Sequence, residues 1–167
     1  KLGKSSENAI FLKIFRAKKN VKTGKWEDVE SLPFNSDDFN TAHPALSPDE
    51  SYLYFASNRS GVFGESDLYR VKINGDSFGS PENLGDKINT PAKETFPFVS
   101  ADNELCFASD GHLGLGGLDV FAVKIKDNRF LKVQNVGKPV NSEFDDFAYV
   151  ITYDKQLGFF SSNRTSG

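Results

Sequence analysis

The chain has 167 residues, of which 38% are hydrophobic and 26% are charged, and its formal net charge is −3. This length suffices for one ordinary domain with a hydrophobic core, and the acidic balance argues against nucleic-acid binding, which needs a basic face. Cys106 is the only cysteine, so an intrachain disulfide is excluded. Because the chain begins at Lys1 and contains no methionine, we expect it to be an excerpt of a longer protein.

The sequence repeats itself with a period of 52 to 53 residues. Ser57 and Asp67 recur as Ser109 and Asp119, and Ser109 recurs once more as Ser162. A fixed period of this length indicates one supersecondary unit that is used several times. Each unit contains short aromatic and β-branched stretches between Gly, Asp, Asn and Pro, which is typical of strands and turns. We therefore predict an all-β fold, a segment of a β-propeller.

Four segments follow one another along the chain. Residues 1–34 are predicted to form a half blade, 35–87 and 88–139 one blade each, and 140–167 a second half blade. Together they make about three four-stranded antiparallel blades, fewer than the roughly four to eight that closed propellers need. We therefore predict an incomplete propeller with open sheet edges, completed either by a longer parent protein or by association of copies.

Proline and aspartate place the strands within each unit. Pro44 and Pro97 begin the first strand of their units. This strand is the edge strand along the central channel, where a proline, which has no backbone N–H, removes no hydrogen bond from the sheet. Four aspartates are predicted to serve turns or to cap loop amides: Asp49, Asp67, Asp102 and Asp119. The glycine-rich segment 111–117 lacks the Lys-Ser/Thr pair of a phosphate-binding loop, and we predict a flexible loop there.

The residues reveal no catalytic or metal-binding constellation. His43 and His112 occupy different blade positions, whereas a hydrolytic triad or a zinc site needs its members close together. Acidic residues before the first strands, such as Glu94 and Asp146, are interpreted as solvated turn carboxylates rather than as a Ca²⁺ site. We predict no enzymatic activity, no cofactor and no metal; an enzyme would need His43, Glu94 and Asp146 to converge.

Rim loops and channel-lining strand ends are the expected contact surface, because loops on a rigid scaffold carry binding. The candidate binding residues are His43, Arg59, His112 and Arg164. For Arg59 a structural interpretation competes, in which it ties the ends of a long loop together with Asp67. Binding of small ligands or glycans through exposed aromatic residues near the channel is left open.

Several motifs carry a family resemblance. The segments Leu46–Asp49, Tyr54–Arg59 and Asp67–Tyr69 resemble a TolB-type propeller repeat, of the WD-like family of bacterial periplasmic proteins. A longer pattern resembles the propeller of OmpA-family cell-envelope proteins of Bacteroidota, including the PorE-like component of the type IX secretion system. It comprises Asn83–Gly85, Ile88–Pro91, Phe96–Phe98, Ser109–His112, Gly116–Asp119, Asn135–Gly137, Pro139–Ser142 and Gly158–Arg164.

This resemblance implies a parent protein with helical repeats before the propeller and a peptidoglycan-binding OmpA-like domain after it, at the periplasmic face of the outer membrane. It implies a non-catalytic scaffold with protein partners in the cell envelope, with peptidoglycan held by other modules and with no nucleic acid. The alternatives are a propeller domain of a periplasmic enzyme and a glycan- or peptide-binding module.

Overall fold

A computed structural model describes residues 10–165 of the chain. All fourteen regular elements in this range are β-strands, and none of the described residues belongs to a helix that could span a membrane. The predicted half blades also include residues 1–9 and 166–167, which lie outside the described residues.

Two hairpins and two larger antiparallel sheets follow one another along the chain. The first hairpin pairs β1 (Phe15–Lys19) with β2 (Trp26–Ser31). The first sheet contains β3 (Thr41–Leu46), β4 (Tyr52–Ser57), β5 (Asp67–Asn74), β6 (Ser77–Phe78) and β7 (Glu82–Asn83). Its order is β3-β4-β5-β6, and β7 also pairs with β5, so the outermost strand is broken into two short pieces.

The second sheet repeats the first. It contains β8 (Glu94–Val99), β9 (Glu104–Ser109), β10 (Asp119–Lys126), β11 (Arg129–Phe130) and β12 (Gln134–Asn135). A final hairpin pairs β13 (Asp146–Ile151) with β14 (Gly158–Ser162). The all-β architecture and the incomplete propeller are thereby confirmed, because the four sheets remain separate and open.

The core lies between sheets rather than within one layer. Successive side chains of a strand point to opposite faces, so β4 contributes to two clusters. Leu53 and Phe55 pack against residues that flank the first hairpin, such as Leu32, whereas Tyr54 and Ala56 pack against the second sheet. The central strands β4 and β9 therefore read as nearly continuous buried apolar runs, as is expected of strands covered on both faces.

Two equivalent glycines let one blade approach the linker of the next. A Cβ atom on Gly64 would lie 2.2 Å from the carbonyl oxygen of Ala92, and a Cβ atom on Gly116 would lie 2.4 Å from that of Phe144. In addition, Asp119 accepts hydrogen bonds from the Leu115 and Gly116 amides. The glycine-rich loop is therefore held closely against its neighbours at these points.

We expect Gly64→Ala to lower the free energy of unfolding by about 1–3 kcal/mol, because the new methyl group would force the loop and the next linker apart. Gly79→Ala is the matched control, since its Cβ would lie 3.7 Å from its nearest neighbours at an ordinary φ. Urea unfolding of both variants measures the difference. Equal stability of the two variants would contradict the close approach.

Candidate functional site

Each inner strand carries a bulge with one residue in the left-handed region. The pairing register shifts within β3, β8 and β13, and the φ angles there are 55° at His43, 49° at Phe96 and 53° at Ala148. Such a conformation costs about 1–3 kcal/mol for a residue other than glycine and is concentrated at functional sites. It recurs at the same position in three successive units, which marks the inner strands as the candidate site.

Aromatic rings stack across the bulges. The His43 ring lies 4.0 Å from that of Phe96, which lies 5.1 Å from that of Phe147 on its other side. The His43 Nδ1 atom is hydrogen-bonded to the Thr95 hydroxyl at 2.7 Å. Burial lowers the pKa of His43, because a poorly hydrated environment disfavours the imidazolium. The inner edge therefore presents a neutral ring stack rather than a charge at neutral pH.

A cleft of about 320 Å³ lies beside this stack and is lined by residues of all three inner strands. Its lining side chains are those of Pro, Ala, Leu, Phe and Val residues, together with His43 and Tyr149. The composition suits an apolar or aromatic group, since small-ligand and peptide sites combine apolar walls with few polar groups. It offers no set of carboxylates or cations that could hold a charged substrate.

The three other candidate binding residues make equivalent contacts in the repeat. Each follows the end of the second strand of a unit and donates to the backbone carbonyl of the linker that precedes that unit. The pairs are Arg59 with Phe34 at 3.3 Å, His112 with Ile88 at 2.8 Å and Arg164 with Val140 at 2.7 Å. Because a carbonyl only accepts, the His112 Nε2 atom carries the hydrogen. These residues brace adjacent blades, away from the His43 bulge.

Arg59 also lies among aromatic rings. Its guanidinium is 4.9 Å from the Phe39 ring, 5.2 Å from that of Phe55 and 4.8 Å from that of Tyr69, in the range of a cation–π contact. Burial lowers its pKa. Among the described residues Arg59 forms no ion pair with Asp67, so the predicted tie between these two residues is wrong.

Arg164 extends the brace to a buried carboxylate. Its guanidinium donates to Asp146, which is fully buried, at 2.5 Å. Burial alone would raise the pKa of Asp146, but hydrogen bonds from Ser162, Arg164 and Ser142 outweigh that effect and lower the pKa. The carboxylate therefore stays ionised and serves the packing of the last unit.

Asparagine residues in the linkers form a contact that the sequence analysis missed. The side-chain amide of each accepts from the N–H and donates to the C=O of a single residue at the third strand of the preceding unit. The pairs are Asn35 with Ile14, Asn89 with Leu68 and Asn141 with Val120, at 2.6–3.1 Å. We call these contacts the asparagine clamps. Their spacing of 54 and 52 residues could have revealed them.

The four predicted turn aspartates accept local hydrogen bonds. Asp49 accepts from the Ser47 hydroxyl at 2.7 Å, and this bond, with others from Ser51, lowers the pKa of Asp49 to about 2. Asp102 accepts from Ser100 in the equivalent turn. In the loops, Asp67 accepts from the amides of Phe63 and Gly64, and Asp119 accepts from those of Leu115 and Gly116.

The residues that an enzyme would need to bring together have separate partners. Glu94 is fully buried and accepts from Thr90 and Ser109, both at 2.6 Å, whereas Asp146 is bound by Arg164 and His43 by Thr95. Within residues 10–165 no group of three or more His, Cys, Asp or Glu is arranged to hold a metal ion. Each of these polar groups therefore has a structural partner of its own: Glu94 and Asp146 within their units, and His43 in the next unit.

Two solved structures share this fold. A protein assigned as TolB from Agrobacterium tumefaciens aligns with a TM-score of 0.60 at 16% identity, over 89% of this chain and 49% of its own. TolB from Acinetobacter baumannii aligns with a TM-score of 0.58 at 12% identity, over 89% of this chain and 32% of its own. The fold is thus that of a TolB-like β-propeller, and the chain spans half or less of either protein. No protein-family model and no curated protein sequence matches the chain.

We expect the His43 ring to titrate below its ordinary pKa of 6.5. Since the unfolded chain then binds the proton at a higher pH than the folded chain, the free energy of unfolding falls as the pH drops from 6.5 through the lowered pKa. An NMR titration of the ring protons measures this midpoint, and a His112→Gln variant identifies which signal belongs to His43. A midpoint at or above 6.5 would contradict the buried, stacked ring.

Proposed function

We propose that the chain is a non-catalytic protein-interaction module of the bacterial cell envelope. The TolB-like propeller fold supports this proposal, as does the set of motifs that resembles OmpA-family envelope proteins. On this proposal the module lies in the periplasm in association with the outer membrane. Its parent protein is OmpA-like, and other modules of that parent hold the peptidoglycan.

The observation that carries the proposal is the apolar cleft at the inner strands. Its walls come from three successive units, and three of its residues, His43, Phe96 and Ala148, are held at strained backbone positions. Aromatic residues in desolvated pockets are the usual energetic centres of protein–protein contacts. We assign the cleft to an apolar or aromatic side chain of a protein partner.

The same geometry argues against a glycan as the ligand. A sugar ring stacks on an exposed aromatic face, but the Phe96 ring is covered by His43 on one side and by Phe147 on the other. The cleft is lined in addition by proline, alanine and valine side chains. A peptide side chain that inserts between the inner strands meets these groups better than a pyranose does.

The hydrogen bonds that the polar residues already make argue against catalysis. His112, Arg164, Glu94 and Asp146 are hydrogen-bonded to backbone or side chains of adjoining segments. A catalytic acid or base must reach the substrate within about 2.6–3.2 Å, directly or through one water. Because these groups already hold neighbouring segments together, they are unsuited to that role.

The test is capture from a Bacteroidota envelope extract with the immobilised chain. We expect a protein partner to bind the wild type and to bind Phe96→Ala about tenfold less, as for a central interface residue. Leu113→Ala is the control, because Leu113 is 96% exposed on a loop away from the cleft. Capture of no partner by the wild type, with turnover of peptide or polysaccharide instead, would overturn the proposal. Equal capture by Phe96→Ala and the wild type would show that the cleft is not the binding site.

A further inference from the structure

A pocket of about 610 Å³ lies beside Arg59, at the rim of the first whole blade. Its lining comes from the linker 33–39, from Arg59 and from the segment 78–81, that is, from one unit and the linker before it. Among the described residues that line it, Arg59 alone is charged. We propose that this pocket binds the carboxyl terminus of a partner peptide whose last residue is apolar.

The last unit shows what an arginine at this place binds. Arg164 and Arg59 each donate to the serine hydroxyl two residues earlier and to a backbone carbonyl of the preceding linker. The two guanidinium groups are therefore held in the same way. Arg164 also donates to the carboxylate of Asp146, whereas Arg59 forms no ion pair within residues 10–165.

Thr41 explains why this carboxylate is missing beside Arg59. Thr41 begins β3 and pairs with Ser57, as Asp146 begins β13 and pairs with Ser162. The Thr41 side chain is fully buried, and its hydroxyl oxygen has no hydrogen-bond partner among the described residues. Arg59 therefore carries an uncompensated charge in a half-buried position, and an anion in the pocket would compensate it.

The donors that remain on Arg59 suit a carboxylate. Its Nε and Nη2 atoms are bound by Ser57 and Phe34, and its Nη1 atom donates to no described residue. A guanidinium binds a carboxylate through parallel charge-assisted hydrogen bonds. The carboxylates of the adjoining linker do not take this place, because Asp37 is paired with Lys13 and no Asp or Glu lines the pocket.

The other walls select an apolar group next to that carboxylate. Besides Arg59 the lining consists of phenylalanine and proline side chains with one asparagine, one glycine and two serines. The Phe34 and Phe78 rings meet edge to face at 5.8 Å, a stable arrangement of an aromatic wall. In a peptide terminus the carboxylate is attached to the carbon that carries the last side chain, so both groups reach the pocket together. An internal aspartate or glutamate has no bulky apolar group beside its carboxylate.

Titration with N-acetylphenylalanine, followed by NMR at the Arg59 Nε–H, tests the chemistry of the ligand. This probe carries a free carboxylate and an aromatic side chain, and its C-terminal amide is the matched control without the charge. We expect saturable binding of the acid and about tenfold weaker binding of the amide, because hydrogen bonds to a charged group are lost. Acetate, which lacks the ring, should also bind more weakly than the acid. Equal affinity for the acid and either control, or no binding of the acid, would overturn the proposal.

Substitutions of Thr41 test the missing carboxylate without changing the lining of the pocket. Thr41→Asp places a carboxylate where Asp146 stands in the last unit, so it should pair with Arg59 and weaken binding of N-acetylphenylalanine about tenfold. Thr41→Val is the matched control and should bind as the wild type does, because the hydroxyl that it removes has no partner among the described residues. Unchanged affinity of Thr41→Asp, or an equal loss in both variants, would contradict the assignment.

Arginine-to-lysine variants give a second measurement that does not depend on the folding of Thr41→Asp. Arg59→Lys keeps the charge but loses the planar fork, and we expect it to bind N-acetylphenylalanine about tenfold more weakly. Arg164→Lys makes the same change at the equivalent brace, which does not line the pocket, and should bind as the wild type does. Equal affinity of the two variants would overturn the proposal. The pocket shares no lining residue with the cleft at the inner strands, so the loss of one site leaves the other intact.

Discussion

The asparagine clamps are the constraint on which the arrangement of the blades depends. At each of three junctions one side-chain amide binds both polar groups of a single backbone residue, whose carbonyl also accepts from a backbone N–H. Asn89 and Asn141 are almost fully buried. A buried backbone group without a partner costs about 1–3 kcal/mol, so each clamp fixes the linker at one position relative to the preceding blade.

The candidate site follows from this fixed linker. The first N–H of each inner strand donates to the preceding unit, as in the bonds from Glu94 to Ser66 and from Asp146 to Leu118. Arg59, His112 and Arg164 bind the carbonyl immediately before each clamp. With its beginning held in this way, each inner strand has its bulge at the same position of the repeat, and the first two bulges bring His43 and Phe96 into contact.

The architecture could be predicted from the sequence because the recurring residues are types that strongly prefer turns and loop caps. Asp49, Asp67, Asp102 and Asp119 recur at fixed spacing, and each accepts local hydrogen bonds. The last turn was missed because Thr152 and Asp154 replace the Ser-Asp pair, although the Thr152 hydroxyl donates to Asp154 in the same way. In this turn the hydroxyl-to-carboxylate hydrogen bond is therefore kept, although threonine replaces serine.

The candidate site was less predictable, for two physical reasons. A residue before proline normally prefers an extended backbone, so nothing in the sequence indicated left-handed conformations at His43 and Phe96. The common role of Arg59 and His112 was hidden because His112 stands one position farther from its strand and differs in chemistry. Each binds a backbone carbonyl, and a contact with the backbone cannot be recognised from residue types.

Native-state hydrogen exchange of single backbone amides tests the clamps most directly. In Asn89→Ala the amide of Leu68 loses its acceptor, whereas that of Val120 keeps Asn141. If each clamp closes its own junction, exchange at Leu68 should accelerate by about tenfold or more, corresponding to about 1.4 kcal/mol, while exchange at Val120 stays close to its wild-type rate. Unchanged exchange at Leu68, or an equal increase at both amides, would contradict the account.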